Sequence, residues 1–468
     1  MTSTNLNIDS KHYNNLSDKK TVAFIPIIFN LGETIPLLEI GKRFEKLGGK
    51  PIFICYKGGF ENIIKDYGFR YITFDIDVLA AFREHIKKVK NYDIEKIRFE
   101  DVIFKHFEKC GNEINHKVIE QEIKILKREK IELIVTGFHT ISRISAKKAN
   151  IPIMFIISSV ASSLYFKSNY ATYPENYENF LTKLIPRSIK NRLTNMYVLK
   201  SKMNIKPFNK FAKKYDIPKL KYFYELFNGD YTLLADDINF LNLKPSKEFP
   251  SENFIGPIIA DKLKVPDSKK INDKINEHLR RPGKSILVTM GTSTSNKLII
   301  NIINVLNNLK YNTIIVFSKL EKELIPKLNE NVIYFDKVSS ILEVNKKVDL
   351  AIIHGGRGTV YTAAYSGKPA IGYPMQVEQQ YNLDNLVRNK TAIRLSKKYF
   401  TEEKLINAIN NIFENYEKYL LNAQRLKDKL QKPNGAENAA KIIYKIVNKK
   451  VIKKKKKKFK LPKLLLFF

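Results

Sequence analysis

The chain is poor in cysteine: Cys55 and Cys110 are the only two in 468 residues. Two thiols are too few for a disulfide framework or a cysteine-built zinc site, and both are expected to be buried, as suits a reducing cytoplasm. Nor do His, Cys and carboxylates anywhere fall at metal-ligand spacing, so no metal is expected. Long apolar runs are missing too. No stretch offers the roughly 18 consecutive apolar residues of a spanning helix, and Met1 to Lys20 lacks the apolar core of a signal peptide. These absences predict a protein neither secreted nor integral to a membrane. Acidic residues are the last shortage: Lys and Arg total 82 against 47 Asp and Glu, a formal charge of +35. Because Lys, Asn and Ile are enriched along the whole chain, that excess reads as compositional drift, and only local clusters count as binding sites.

What remains is enough for two domains of roughly 150 to 250 residues, and at 44% hydrophobic both can bury full cores. After a polar tail, 1–20, Thr21 to Phe29 reads as a buried strand in which Pro26 marks a bulge or an end. Asn30-Leu31-Gly32-Glu33 then turns into a helix on which Leu37, Ile40, Phe44 and Leu47 recur at helical spacing before Gly48-Gly49. The alternation continues with strands at Ile52 to Cys55, Tyr71 to Phe74, Leu133 to Thr136, Ile153 to Ile157, Tyr231 to Ala235 and Asn253 to Ile255. Helices are expected near Phe60 to Tyr67, Val118 to Lys130 and Ile141 to Lys148. Such βαβ units dictate a parallel sheet with helices on both faces, so 21–245 is expected to be one doubly wound α/β domain. Within it Tyr165, Phe166, Tyr170, Tyr173, Tyr177 and Phe180 either line an acceptor pocket or pack irregular helices. A linker rich in Pro, Lys, Asp and Ser, 246–283, leads to a second domain, 284–448. Its strands are expected at Ser285 to Thr289, Thr313 to Phe317, Val332 to Phe335, Leu350 to Ile353 and Ala370 to Tyr373. Helices follow at Glu402 to Tyr416, Leu420 to Leu430 and Gly435 to Val447.

The segment with most chemistry is Asp349 to Arg388. A short apolar strand runs into His354-Gly355-Gly356-Arg357-Gly358-Thr359 and then into a helix. Glycines let the backbone approach a ligand, and the first helical N–H groups have no intrahelical partner, so the turn suits an anion such as a diphosphate. A second strand closes at Pro374 and is followed by Glu378-Gln379 and Asn382. In open α/β sheets ligands sit beyond the carboxyl ends of the strands, so the Gly291-Thr292-Ser293 turn and the His354 turn should face one crevice.

The order of that segment resembles the donor-binding signature of the UDP-glycosyltransferase superfamily (glycosyltransferase family one), in particular its bacterial and archaeal macrolide-glycosyltransferase-like members. The resemblance implies the GT-B fold: two doubly wound, Rossmann-like parallel-sheet domains facing a cleft. It implies that His354, Gly355, Gly356, Gly358 and Thr359 meet the diphosphate of a nucleotide sugar, that Glu378 and Gln379 hold donor-sugar hydroxyls, and that Asn382 reaches the phosphates. Gly291 and Thr292 take the place of a second phosphate loop, or of an ordinary helix cap. Phe335 stands where relatives place a base-stacking Trp, and Val338 replaces a common Gln. Thr362 stands where many members carry a ribose-binding Glu, which leaves the nucleotide open. The family's first-domain turn usually reads Gly-His-x-x-Pro, with the His as base; here Gly32-Glu33-Thr34-Ile35-Pro36 puts Glu33 in that role, with His139 as its rival.

The activity implied is an inverting transfer of a hexose from a UDP-sugar to an acceptor hydroxyl, with no cofactor and no metal. A sugar-nucleotide epimerase of the same fold and a non-catalytic nucleotide-sugar binder are the alternatives. Asp75-Ile76-Asp77 resembles the metal-gripping Asp-x-Asp of the other major glycosyltransferase fold, but it ends a strand of the presumed acceptor domain and reads as solvated. The tail 449–468 carries Lys453 to Lys458 and ends in Leu464 to Phe468. Lysines at anionic headgroups with a short apolar insertion predict peripheral binding through Lys453 to Phe468 at the inner, cytoplasmic face of a membrane, and hence a lipid or other hydrophobic acceptor. The same run would suit nucleic acid by counterion release, but it shows no reader motif, so no nucleic-acid partner is expected.

Overall fold

A computed structural model describes residues 19–449, apart from 29, 58–59, 76–110, 203–204, 261–264, 292 and 319. Cys110, Ile76, Asp77, Thr292 and the lysine-rich tail therefore lie outside the described residues, whereas Cys55 is a buried free thiol. Asp75 is exposed, and among the described residues its carboxylate pairs with Lys57 at 3.1 Å while its amide donates to Gln121.

Among the described residues every strand pairing is parallel. In the first domain β1 (Thr21–Phe24), β2 (Lys50–Cys55), β3 (Tyr71–Thr73), β4 (Leu133–Thr136), β5 (Ile153–Ile157) and β6 (Tyr231–Leu234) stand in the order β3-β2-β1-β4-β5-β6. In the second, β7 (Ser285–Thr289), β8 (Asn312–Val316), β9 (Val332–Phe335), β10 (Leu350–Ile353), β11 (Ala370–Gly372) and β12 (Ala392–Arg394) stand in the order β12-β11-β10-β7-β8-β9. The strand order reverses between β1 and β4 in one sheet and between β10 and β7 in the other. Those are the switch points beyond which open α/β sheets bind ligands.

Strands β1, β4, β5, β7, β8 and β10 are buried along their whole length, which is why they read as short continuous apolar runs. Three expectations are corrected. The strand predicted from Thr21 to Phe29 ends at Phe24, because Pro26 has no N–H for the ladder. Asn253 to Ile255 forms only an isolated bridge, Leu234 to Phe254. The linker 246–283 contains helix Ser268–Leu279, whose Ile271, Ile275 and Leu279 pack on Leu287 and Ile314 of the second sheet. Their helical spacing was hidden by the charged residues around them. Strand β12 is only three residues long and escaped a periodicity reading.

The last helix, Gly435–Asn448, leaves the second domain and packs against helix Leu31–Lys46 of the first, with Phe44 and Tyr444 rings 6.4 Å apart. Its Ala439, Ala440 and Ile443 belong to the same apolar cluster as Phe24 and Phe53 on one side and Tyr361 and Leu383 on the other. The two domains thus share a continuous core.

Polar contacts fix how the domains meet. Gln380 donates to Thr172 Oγ1 and to the Tyr173 carbonyl, and accepts from the Glu175 amide. Arg394 lies buried between Asp384, at 2.8 Å, and Glu175. Removing a buried cation leaves its carboxylates uncompensated, so Arg394→Met is expected to lower unfolding free energy by about 3 kcal/mol, measured by urea titration. An unchanged midpoint would mean that the network contributes nothing to domain docking.

Candidate active site

In the second domain the site is built from the exits of β7 and β10. The Gly291 amide at the end of β7 donates to His354 Nδ1 at 2.9 Å, so the two turns do share one crevice. With Nδ1 accepting, the ring proton sits on Nε2. Burial pushes the His354 pKa down to about 4, and the nearby Thr289 carbonyl offsets only part of that, so the ring is neutral at pH 7 and acts as a hydrogen-bond donor.

Three glycines of the turn have different reasons to be glycine. Gly355 has φ +84°, and a Cβ on it would lie 2.6 Å from Leu383 Cγ. A Cβ on Gly356 would lie 2.4 Å from His354 Nε2, and one on Gly291 2.3 Å from the same atom. A substitution at Gly356 therefore collides with His354 before it meets a ligand. Gly358 has no atom within 4 Å of its Cβ position. It lies in the first turn of helix Arg357–Ser366, where free N–H groups and the positive end of the helix dipole favour an anion.

The remaining donor-side residues divide. Thr359 Oγ1 donates to the Gly356 carbonyl and Thr362 Oγ1 to the Thr359 carbonyl, so both hydroxyls are used within the helix. Gln379 accepts from the Met375 amide and donates to Ser293 Oγ, tying together two loops of the crevice. Asn382 donates to the Gly355 carbonyl and holds the turn in place. Glu378, in the first turn of helix Val377–Arg388, is half-buried. Two expectations need correction. Val338 is packed with Leu287, Ile314 and Val344, so its side chain belongs to the core and not to a donor site. The cap of helix Asn296–Asn307 is Ser295, not a residue of the Gly291 turn. Phe335 does end β9, half-buried, with Lys274 Nζ 5.9 Å from its ring centroid, so one ring face is already covered.

In the first domain the exits of β1 and β4 bring Glu33 to Gly137. Asn30 caps helix Leu31–Lys46 by accepting from the Gly32 amide, which puts Glu33 in the first turn. Glu33 Oε1 accepts from the Gly137 amide at 3.1 Å and the Phe138 amide at 2.9 Å, while Oε2, with the Ile27 amide nearby, makes no well-formed hydrogen bond among the described residues. Burial raises the Glu33 pKa to about 7; the amides of Phe138, Gly137 and Ile27 and the Arg357 charge pull against that rise. His139, the rival, is buried with both ring nitrogens engaged, Nε2 with Tyr56 Oη at 2.8 Å and Nδ1 with Ser142 Oγ at 2.7 Å. Both contacts lie within the first domain, and they favour Glu33 over His139 as the group open to an acceptor.

Arg357 was not singled out from the sequence, although it sits inside the Gly-Gly-Arg-Gly turn. Its charge lowers the pKa of Glu33 and of Asp236 on the opposite domain, which places the two switch points within electrostatic reach. Asp236 is buried and accepts from Tyr361 Oη at 3.0 Å, and Tyr361 Oη accepts from the Asp237 amide at 2.8 Å. Burial raises the Asp236 pKa, with Arg357, Ser159 and Tyr361 opposing. The aromatic cluster divides as well: Tyr165 and Phe166 are core and pack on Tyr381, whereas Phe180 points to solvent.

A profile of the glycosyltransferase family 28 C-terminal domain matches residues 285–442. UDP-glucuronosyltransferase 2B33 of Macaca mulatta is 21% identical over 397 residues, 81% of this chain and 71% of its own. UDP-glucuronosyltransferase 3A1 of Xenopus laevis is 24% identical over 389 residues, 75% of this chain and 70% of its own. Among solved structures, the calicheamicin glycosyltransferase CalG4 is similar with a TM-score of 0.63 at 13% identity, over 91% of this chain and 98% of its own. The glycosyltransferase VinC in complex with dTDP gives a TM-score of 0.54 at 13% identity, over 90% of this chain and 100% of its own.

Proposed function

Because the chain belongs to the UDP-glycosyltransferase superfamily and has its GT-B fold, we propose that it is an inverting transferase. It moves a hexose from a UDP-sugar to a hydroxyl of a lipid or other hydrophobic acceptor. The observation that carries this reading is the pairing of two unlike switch points. One is a glycine turn that opens a helix beside a neutral His354. The other holds a buried carboxyl, one oxygen of which makes no well-formed hydrogen bond among the described residues.

In the proposed step, Glu33 Oε2 takes the proton of the acceptor hydroxyl as its oxygen bonds to the anomeric carbon from the face opposite the leaving group. The bond from that carbon to the β-phosphate oxygen breaks, and UDP leaves with the electron pair. The developing charge on the diphosphate is met by the first amides of helix Arg357–Ser366, by His354 Nε2–H and by the Arg357 guanidinium, without a metal. Glu378, in the first turn of helix Val377–Arg388, is the group we assign to a donor-sugar hydroxyl. The neutral uridine base is assigned to the half-buried Phe335 ring at the end of β9.

Among the described residues no helix is long and apolar enough to cross a membrane. Peripheral attachment through Lys453 to Phe468 at the cytoplasmic face rests on sequence, and supports the choice of a hydrophobic acceptor. The test is to incubate the protein with a panel of UDP-sugars, with and without lipid acceptors. One UDP should form per glycoside, and the donor should persist when the acceptor is omitted. Conversion of one UDP-sugar into another without acceptor would replace the transferase by an epimerase. Binding with no turnover on any acceptor would leave a nucleotide-sugar binder.

A further inference from the structure

Helix Arg187–Lys200 is laid on the first domain the wrong way round for a soluble surface. Its inner face is polar: Asn195 bonds both the amide and the carbonyl of Ala171, Asn191 accepts from the Tyr173 amide, and Lys190 pairs with Glu178 at 2.7 Å. Val198 and Leu199 near its end pack on the core, but its other large apolar residues, Ile189, Leu193, Met196 and Tyr197, point outward. Leu193 is 54% and Tyr197 64% exposed, and the short helix Phe180–Lys183 with its cap Leu184 leaves Phe180 at 78%, Leu181 at 71% and Leu184 at 72%. A surface helix ordinarily turns its apolar stripe to the core and its polar face to water. Elsewhere among the described residues, large apolar side chains this exposed are scattered singly, at Tyr231, Leu324, Val387 and Leu421. A contiguous apolar face marks an interaction site.

We propose that the outward face of residues 180–200 docks on an anionic lipid bilayer. The charges around it decide the occupant. Lys183, Arg187, Arg192 and Lys200 are exposed beside the apolar residues. The stretch itself holds no Asp or Glu, and Glu178 just before it is paired with Lys190. Apolar side chains enter the acyl boundary while the cations meet the headgroups, which is how interfacial helices bind. A second copy of this chain brings a formal charge of +35 against another +35 and suits the face badly. The residues just before this stretch contact the second domain, where Lys398 Nζ donates to the Glu178 carbonyl and Arg394 pairs with Glu175, and Lys183 within it lies over the Tyr399 ring. Docking therefore sets the interdomain seam close to the membrane. This surface is separate from the C-terminal lysine tail and stands without any assignment of substrate.

The chain has no tryptophan, so one introduced residue reports on its own position alone. Leu184→Trp in the full chain, mixed with vesicles of phosphatidylglycerol and phosphatidylcholine, should shift its emission to the blue and be quenched by brominated phospholipid. Leu324→Trp, on the other domain, should do neither. Raising salt or omitting phosphatidylglycerol should weaken the response. Phe180→Ser, Leu184→Ser and Leu193→Ser together should reduce vesicle binding of the full chain by roughly tenfold or more. The proposal is overturned if the full chain ignores vesicles, or if Leu184→Trp stays unshifted in vesicle-bound protein, which would leave the tail as the sole anchor. It is also overturned if the shift grows with protein concentration in the absence of vesicles, which would make the occupant a second copy.

Discussion

Replacing Glu33 with Gln is expected to cut transfer by roughly 10²- to 10⁴-fold while donor affinity and fold are kept. The amide preserves the size of the side chain, and its carbonyl oxygen still accepts from Gly137 and Phe138, so only the proton acceptor is removed. With a pKa of about 7, the carboxyl is ionised over just the upper part of the physiological range. Turnover of the wild type should therefore climb as pH rises through about 7, and Glu33→Gln should flatten that limb. Stability moves the other way. A carboxyl whose folded pKa is raised binds its proton more tightly when folded, so its favourable contribution is complete below its ordinary value near 4.5 and is lost as pH rises through about 7. Glu33→Gln should accordingly gain stability relative to the wild type on going from pH 5 to pH 8. In the same assays His139→Ala should lose about 1 to 3 kcal/mol of stability, with turnover per folded molecule kept, because both ring nitrogens are spent on Tyr56 and Ser142. Near-normal turnover of Glu33→Gln together with an inactive His139→Ala would reverse the assignment.

The second large effect is expected at Gly358. The Cβ of a Val there meets no atom of the described residues within 4 Å beyond its own helix backbone, so the helix should form with a stability loss of under ~1 kcal/mol. The added methyl groups project from the first turn into the space assigned to the diphosphate, and UDP affinity measured by calorimetry should fall by at least about 100-fold. Gly356→Val is a poorer probe, since its side chain strikes His354 and confounds binding with folding. Unchanged UDP affinity in folded Gly358→Val would move the donor site elsewhere.

The sequence was most legible where physics is local. Strands Leu133–Thr136, Ile153–Ile157, Ser285–Thr289 and Leu350–Ile353 match the reading residue for residue, because strands buried on both faces are short unbroken apolar runs, and the half-buried edge strand Val332–Phe335 matches as well. The His354 turn was legible because its glycines stand at a strand-to-helix junction. What stayed hidden depends on three-dimensional pairing. Nothing in the spacing of Gln379 or Asn382 says that their amides are already committed to Met375, Ser293 and Gly355. Val338 looked like a substituted ligand and is core, since a neighbour's register decides which way it faces. Arg357 acts across the domain boundary on Glu33, 324 positions away in the chain, and no periodicity encodes such a contact. Helix Arg187–Lys200 was not anticipated, and nothing in its sequence says that Asn191 and Asn195 face inward.

Amide hydrogen exchange with and without UDP tests the central assignment most directly. The N–H groups of Gly356 to Thr359 lie at the free end of their helix and should exchange readily in the unliganded protein. UDP should slow exchange in the peptides covering His354 to Val360 and the Gly291 turn, and leave the Tyr56–His139 side of the first domain unchanged. Protection by UDP that falls elsewhere, with the His354 turn unaffected, would contradict the account.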